Sequence, residues 1–157
     1  FSGCLAIPGM TGLHPLMTFG PNLYSPSIYR NIPFISEEAG QSFAQTFPSL
    51  SNPEFAIPSA QKPLYHALCV ICGNFPMLLW ERAIERLHSE CGLPKRVVQP
   101  YLSKCLENAL LETNQASTGP LTRGDLRTVA HNLSALGDGA CSRIYKAFAR
   151  EFTAASL

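Results

Sequence analysis

A lysine and a histidine one helical turn apart are the residues of this sequence best suited to chemistry. Lys62 and His66 lie in the segment KPLYHALCVICGNF, and Asn74 follows two turns later. At about 100° per residue, a helix places Lys62 and His66 on one stripe. An ammonium group can hold a carbonyl or carboxylate, and a neutral imidazole can pass a proton. Lys62, His66 and Asn74 are therefore predicted as the catalytic set for hydride transfer at a C=O or C=N centre.

The same helix has a second, apolar side. Its members recur at helical spacing and are Leu64, Leu68, Ile71 and Phe75. This spacing predicts that the apolar row packs in the core and that the Lys62 stripe faces a cleft, a partner or water. Gly73, on the Lys62 stripe, would let a ligand or a second backbone come close. The alternative is that Lys62 is a solvated helix-start residue and His66 an ordinary interface histidine.

Two further segments are candidates for ligand binding. His14 precedes a proline at the end of a predicted strand, where open α/β sheets present binding groups. Thr118 and Arg123 lie in a turn that leads into a helix N-terminus, which attracts anions through its free amides. Arg123 could add a bidentate contact to a carboxylate or phosphate. His14, Thr118 and Arg123 are predicted to bind substrate, although a buried histidine and an ordinary capping turn would explain the same residues.

Composition and charge narrow the class of protein. The chain has 157 residues, a hydrophobic content of 46% and a net charge of +1, with Lys and Arg scattered. It is globular in composition and has no basic patch for nucleic acid or an anionic membrane. The apolar run over 67–80 is interrupted by Gly, Asn and Pro, so it is predicted as a core helix too short to span a membrane. Because the chain begins at Phe1 without a methionine, we expect it to be part of a longer protein.

The six cysteines are spread thinly along the chain. Several fall at positions that read as helix-core sites, and the pair at 69 and 72 lies inside a helical pattern without a second pair or a nearby histidine at ligand spacing. We therefore expect packing cysteines, no metal site and a reducing, cytoplasmic setting.

The secondary structure predicted from the sequence changes near residue 59, from short strands before it to helices after it. Before it, short apolar runs bounded by turn residues predict three strands, at 11–19, 31–35 and 54–57. A helix over 37–47, capped by Ser36, is predicted between the last two strands, and residues 20–31 are predicted as a loop.

After residue 59 the pattern is helical. Four helices are predicted, over 62–90, over 95–113, from a capping box led by Thr122, and from about 140 to the C-terminus. Pro76 is expected to kink or break the first of them.

Three separated segments together resemble a known family. They are GLHPLMTFGP, FAIPSAQKPLYHALCVICGNF and ENALLETNQASTGPLTRGD. In this order they resemble the second half of the Rossmann-like oxidoreductases that end in the helical domain of unknown function 2520. That family is similar in layout to pyrroline-5-carboxylate reductase, ketopantoate reductase and 6-phosphogluconate dehydrogenase. Two departures are a shorter stretch between Leu5 and Gly12, and His66 where the ketopantoate reductase pattern has an asparagine.

The resemblance implies a mainly α fold with a small α/β N-terminal part. Residues 1–58 would form the C-terminal edge of a Rossmann-like sheet whose nucleotide-binding part is missing, and residues 59–157 a helical bundle that contacts substrate and forms a homodimer. It further implies NADP or NAD as cofactor, bound outside this chain, a small-molecule substrate, and an inactive chain when alone. No GxGxxG motif follows any predicted strand. The alternative is a non-catalytic dimerising module that senses a dinucleotide or a metabolite.

Overall fold

The structure is a computed structural model that describes residue 10, residues 12–111 and residues 118–153. Its fold is mainly α with a small three-stranded sheet, as predicted. The chain forms two units, residues 1–78 and residues 79–157, which we call unit 1 and unit 2. The assignment of a Rossmann-like edge before residue 59 and a helical domain after it stays a prediction.

The sheet of unit 1 contains the three predicted strands, with shifted ends. They are β1 His14–Pro15, β2 Phe34–Glu37 and β3 Glu54–Ile57, in the order β1-β2-β3. β1 pairs antiparallel with β2, and β2 pairs parallel with β3. β1 is much shorter than predicted because the Met17 N–H donates back to the Pro15 carbonyl at 2.9 Å, which turns the chain away.

Two short helices precede and follow β2. α1, Pro26–Arg30, lies inside the segment that was predicted as a loop. α2 is Phe43–Thr46, and its cap is Ser42 rather than the predicted Ser36. The reason is a capping box, in which Ser42 and Gln45 each accept the other's backbone N–H. Ser36 belongs to β2, where it is buried.

One continuous helical run follows β3. It consists of a 3₁₀ turn Ser59–Gln61, α3 Lys62–Cys69, a π-helical turn Val70–Asn74 and α4 Phe75–Cys91. Pro76 does not break this run. In the π turn the Phe75 N–H bonds to the Val70 carbonyl five residues back, and such a turn lets a helix accommodate the proline ring.

The run is longer than the predicted core helix. Over its 33 residues it is long and apolar enough to cross a membrane by length and composition, and its most apolar window is not buried. The boundary between the two units falls within α4, after Leu78.

The predicted orientation of α3 is wrong. The apolar row is exposed, with exposed fractions of 62% for Leu64, 50% for Leu68, 53% for Ile71 and 52% for Phe75. Lys62, on the opposite stripe, is only 5% exposed. The buried apolar residues of unit 1 lie elsewhere, and they are Leu13, Ile32, Ile35 and Phe43. A lysine can be buried here because a carboxylate partner is buried with it.

The described residues of unit 2 form the second part of α4 and three further helices. They are α5 Gln99–Ala109, α6 Leu126–Leu136 and α7 Ala140–Thr153, with a 3₁₀ turn Lys95–Val98 before α5. The predicted end of α5 at Thr113 lies outside the described residues. Asp125, not Thr122, caps α6, because its carboxylate accepts both the backbone N–H and the hydroxyl of Thr128.

Five cysteines lie among the described residues, and all five are free thiols. Cys4 lies outside them. Cys69 and Cys141 are partly buried, whereas Cys72, Cys91 and Cys105 are exposed. The predicted packing role is therefore wrong for these three.

Candidate functional site

A cluster of polar side chains lies between the sheet of unit 1 and the start of α3. β1 contributes His14, the end of β2 contributes Glu37, and the first turns of α3 contribute Lys62, Tyr65 and His66. We call these five residues the Lys62 cluster. α3 begins with a proline in its first turn, which leaves the lysine before it at the helix start and pointed at the strand end.

A buried ion pair forms one side of the Lys62 cluster. The Lys62 Nζ donates to Glu37 Oε1 at 2.7 Å, and the two side chains are 6% and 12% exposed. The Lys62 ammonium, the Ser59 hydroxyl and the Gly12 N–H all donate to the carboxylate and hold the pKa of Glu37 below its usual value. With these donors around it, the carboxylate stays ionised at neutral pH and fixes the ammonium in place.

A histidine–tyrosine contact forms the other side. His14 Nδ1 and the Tyr65 hydroxyl are 2.6 Å apart, and the two rings meet edge to face with centroids 5.5 Å apart. Burial, then the charges of His66 and Lys62, lower the pKa of His14. Burial and the neighbouring Cys69 thiol raise the pKa of Tyr65. Both groups are therefore neutral at neutral pH. Tyr65 donates to Nδ1 when the imidazole proton is on Nε2, and Nδ1–H donates to the Tyr65 oxygen in the other tautomer.

His66 lies beside this pair. Its ring centroid is 6.5 Å from that of His14, at an angle of 68°. Both histidines are partly exposed, whereas Lys62 is enclosed. The two imidazoles, together with the partly exposed Tyr65, are groups of the Lys62 cluster that solvent can reach.

The interior of the cluster has no room for a substrate. The cavity among Gly12, His14, Glu37, Lys62 and Tyr65 measures about 10 Å³. That is about the space required by one water molecule. Any reaction must therefore take place at the open edge, where the histidines are, with the ion pair acting from behind them.

The structure brings together some of the predicted site residues but not all. Lys62, His66 and His14 belong to one cluster, as their placement on one stripe and one strand end suggested. Asn74 lies at the end of the π turn and is exposed. Eight residues of helix, about 12 Å at 1.5 Å per residue, separate it from His66. It takes no part in the Lys62 cluster in this structure.

Thr118 and Arg123 belong to unit 2, in the turn before α6, and both are exposed. The nearby Asp125 has its pKa lowered first by the Thr128 backbone N–H, then by the Thr128 hydroxyl, with Arg123 contributing less. The capping explanation accounts for Asp125, and the predicted substrate contacts of Thr118 and Arg123 stay predictions.

Two members of the cluster were missed from the sequence. Tyr65 follows Lys62 by three residues, so helical spacing already places it on the lysine stripe. Glu37 comes directly after the buried part of β2, which is the position of a strand-end ligand. The spacing of Tyr65 was a usable signal, whereas the pairing of Glu37 with Lys62 depends on a contact across 25 positions of sequence.

The Lys62 cluster does not fit a dinucleotide. None of the described strands leads through a glycine-rich turn into a helix N-terminus, which is the arrangement that holds a pyrophosphate. The small cavity at the Lys62 cluster is also far below the volume of such a cofactor.

Comparison with solved structures relates the chain to larger proteins. A Bacteroides fragilis protein described as a "putative NADP oxidoreductase" is 25% identical, with a TM-score of 0.78 over 97% of this chain and 62% of that one. A protein from Thermotoga maritima is 22% identical, with a TM-score of 0.70 over 99% of this chain and 68% of that one, and shows the fold alone. This chain thus spans less than two thirds of the Bacteroides protein.

A comparison with curated proteins found no match. The family profile described as "Domain of unknown function (DUF2520)" matches residues 34–152, which is most of the chain and includes Glu37, Lys62, Tyr65 and His66. On this match the chain belongs to the DUF2520 family.

Proposed function

We propose that the chain is the C-terminal portion of an NAD(P)-dependent oxidoreductase that acts on a small C=O or C=N substrate. The observation that carries the proposal is the 2.6 Å contact between His14 and Tyr65 beside the buried Lys62–Glu37 pair. A proton-carrying group next to a fixed positive charge, at the open edge of a cluster, is what such a reaction needs besides its hydride.

The residues of this chain would supply the proton. A nicotinamide supplies a hydride when it is bound, but the described residues do not hold one, so only proton transfer is assigned to this chain. In the tautomer with its proton on Nε2, His14 would give that proton to a developing oxyanion or amide anion as Nδ1 takes the proton of Tyr65, which water then restores to Tyr65. His66 would orient the substrate. The Lys62 ammonium favours negative charge at this edge, and burial, then the charges of His66 and Lys62, keep His14 neutral.

The test is turnover of the intact protein, followed as nicotinamide absorbance with a panel of small ketones, aldehydes and imines. Lys62→Met should remove turnover and leave dinucleotide binding unchanged. Lys95→Met is the matched control, because Lys95 also pairs with a glutamate but is 57% exposed. Full turnover in Lys62→Met would end the assignment.

A fold control is needed because Lys62→Met leaves Glu37 without its ammonium. The double variant Lys62→Met with Glu37→Gln removes both charges and should fold better than the single variant. Turnover should be absent in both.

The alternative function is a non-catalytic sensing module. The enclosure of Lys62 and the small cavity favour it, because an ion pair shut off from solvent is as well suited to structure as to catalysis. If the intact protein binds a dinucleotide but turns over nothing in the panel, the sensing module replaces the oxidoreductase.

We also propose that the chain forms a homodimer, in which a second copy covers the apolar row that begins in α3 and ends at the first residue of α4. The support is the exposure of that row, whose four large side chains are each at least half exposed. Their removal from water would contribute favourable free energy to association, at about 25 cal/mol per Å².

The dimer is tested by sedimentation of the intact protein. Leu68→Glu should shift it to the monomer, whereas Leu23→Glu, at a residue 90% exposed in the first loop, should not. Vesicle co-sedimentation checks the competing use of the row, because binding to neutral lipid vesicles by the wild type would indicate a membrane surface instead.

A further inference from the structure

The backbone of Gly12 lies so close to the Lys62–Glu37 ion pair that a side chain at this position would meet both charged groups. A Cβ built on Gly12 would lie 2.7 Å from the Lys62 Nζ and 2.9 Å from Glu37 Oε1. Contacts below 3.0 Å are essentially never seen for a real Cβ, so an alanine and the present ion pair cannot coexist. The Gly12 N–H also donates to the Glu37 carboxylate.

The carboxylate of Glu37 is held from three directions. Gly12 lies before β1, Ser59 is in the 3₁₀ turn before α3, and Lys62 is at the start of α3 itself. Each donates a hydrogen bond to Glu37. Glu37 is therefore the common acceptor that fixes the start of α3 against the end of β2, and Lys62 is oriented by the same carboxylate.

We propose that Glu37 and Gly12 are positioning residues for Lys62: Glu37 fixes the ammonium, and Gly12 leaves the space that the ion pair occupies. Neither touches the substrate. This inference rests on the proposed function, because a positioning role presupposes a reaction at the Lys62 cluster. The placement of the Lys62 ammonium can nevertheless be measured without any substrate.

The Gly12→Ala variant should disturb the ion pair without disturbing the fold. The two atoms that its Cβ would meet are the ends of flexible side chains, so the side chains move and the backbone does not have to. Gly20→Ala is the matched control, because the nearest atom to its Cβ is the Tyr24 hydroxyl at an ordinary 3.9 Å.

The readout is reductive methylation of lysine amines in the full-length protein, measured for each residue by mass spectrometry. In the wild type, Lys62 should react slowly because it is buried and paired. Gly12→Ala and Glu37→Gln should each raise the methylation rate of Lys62 by about tenfold or more, because the released amine is no longer protected by burial. The exposed Lys95 and Lys104 are internal standards whose rates should not change.

Loss of the fold would also raise labelling, so thermal unfolding is measured on the same samples. Gly12→Ala should label faster at Lys62 while its unfolding temperature and its labelling at Lys95 and Lys104 stay close to those of the wild type. Faster labelling at all lysines with a lowered unfolding temperature would mean loss of the fold and would overturn the inference.

The outcomes separate the two proposals. Unchanged Lys62 labelling in Gly12→Ala and Glu37→Gln overturns the positioning inference, whatever the turnover. Faster labelling with a lowered kcat and a nearly constant KM supports both proposals. Faster labelling in a protein whose wild type has no turnover supports the placement of Lys62 by Glu37 and Gly12, and counts against the oxidoreductase.

Discussion

The two units use the same chemical pair in opposite ways. In unit 1, Lys62 and Glu37 are paired with side chains 6% and 12% exposed. In unit 2, Lys95 and Glu85 are also paired, but their side chains are 57% and 60% exposed. Water screens the second pair and leaves the first to interact at a low effective dielectric constant. The Lys–Glu pair therefore fixes the Lys62 side chain in unit 1, whereas the pair in unit 2 lies on the solvent-exposed surface.

The apolar side chains show a related difference within unit 1. Its β2 and α2 stack Phe34 on Phe43 with centroids 4.1 Å apart, and Phe43 is 2% exposed. The row from Leu64 to Phe75 is left in water while a lysine of the same helix is buried. An amphipathic helix normally has the reverse arrangement. The carboxylate of Glu37 explains the buried Lys62, and the exposed apolar row is the surface that the proposed dimer would cover.

The largest expected effect is on the stability of Lys62→Met. Removing one partner of a buried pair leaves an uncompensated charge and should lower the free energy of unfolding by about 3–5 kcal/mol. Lys95→Met should leave it nearly unchanged. Urea unfolding of both variants measures the difference, and equal losses would contradict the distinction between the two pairs.

The next effect is on pH dependence. Because the folded-state pKa of His14 lies below its ordinary 6.5, the unfolded chain binds more protons and stability falls as pH drops through and below that value. His14→Asn should reduce this dependence of the free energy of unfolding on pH. His131→Asn, at an exposed position of α6, is the control in unit 2 and should leave it as it is. The pH range from about 8 to about 5 covers this window.

Glu37 adds a second, more acidic step. Its folded-state pKa is also lowered, so the stability that it contributes is present above its ordinary value of 4.5 and is lost as pH falls through the folded value. Glu37→Gln should remove this step and leave the step of His14. A single step that disappears in both variants would mean that the two groups titrate together.

A smaller loss is expected for Tyr65→Phe. It removes the hydroxyl that meets His14, and one hydrogen bond contributes about 1 kcal/mol. The control is Tyr145→Phe, which removes the bond between Tyr145 and Asn132 in unit 2. Similar losses of stability are expected for both, but only Tyr65→Phe should change the His14 titration measured by NMR.

The smallest expected effect on stability is that of replacing a glycine by alanine, which should be stabilising in unit 1 and destabilising in unit 2. A Cβ at Gly73 meets nothing within 4 Å, so Gly73→Ala should stabilise the helical run by about 0.5–1 kcal/mol. Gly124 in unit 2 has φ +65°, so Gly124→Ala should be destabilising. The free energy of unfolding of both variants, measured in urea, checks the two signs. A loss of stability in Gly73→Ala would contradict the open space around this glycine.

Much of the element order could be predicted from local signals. Strands β2 and β3, the start of α3 and the helix that begins at Ala140 all lie close to where turn residues and apolar spacing placed them. The caps were less predictable. Ser36 and Thr122 are good capping residues by type, but Ser42 and Asp125 cap the helices because they have the right partners three residues on.

The Lys62 cluster was predictable only in part. Helical spacing linked Lys62 to His66, and the strand end singled out His14, without any knowledge of the fold. Asn74 was grouped with them by residue type, and the length of helix between it and His66 separates it from them. Glu37 could not be found because nothing in its local sequence distinguishes a buried ion-pair partner from a solvated carboxylate.

What the sequence by itself determined is the two-sided character of α3, with large apolar residues on one side and Lys62 and His66 on the other. Only the tertiary structure decided which side is inside. A periodic pattern fixes the angle between two faces, but burial depends on the partners that the rest of the chain supplies. Here the Glu37 carboxylate accepts hydrogen bonds from Lys62, Ser59 and Gly12, and this pairing allows Lys62 to be buried.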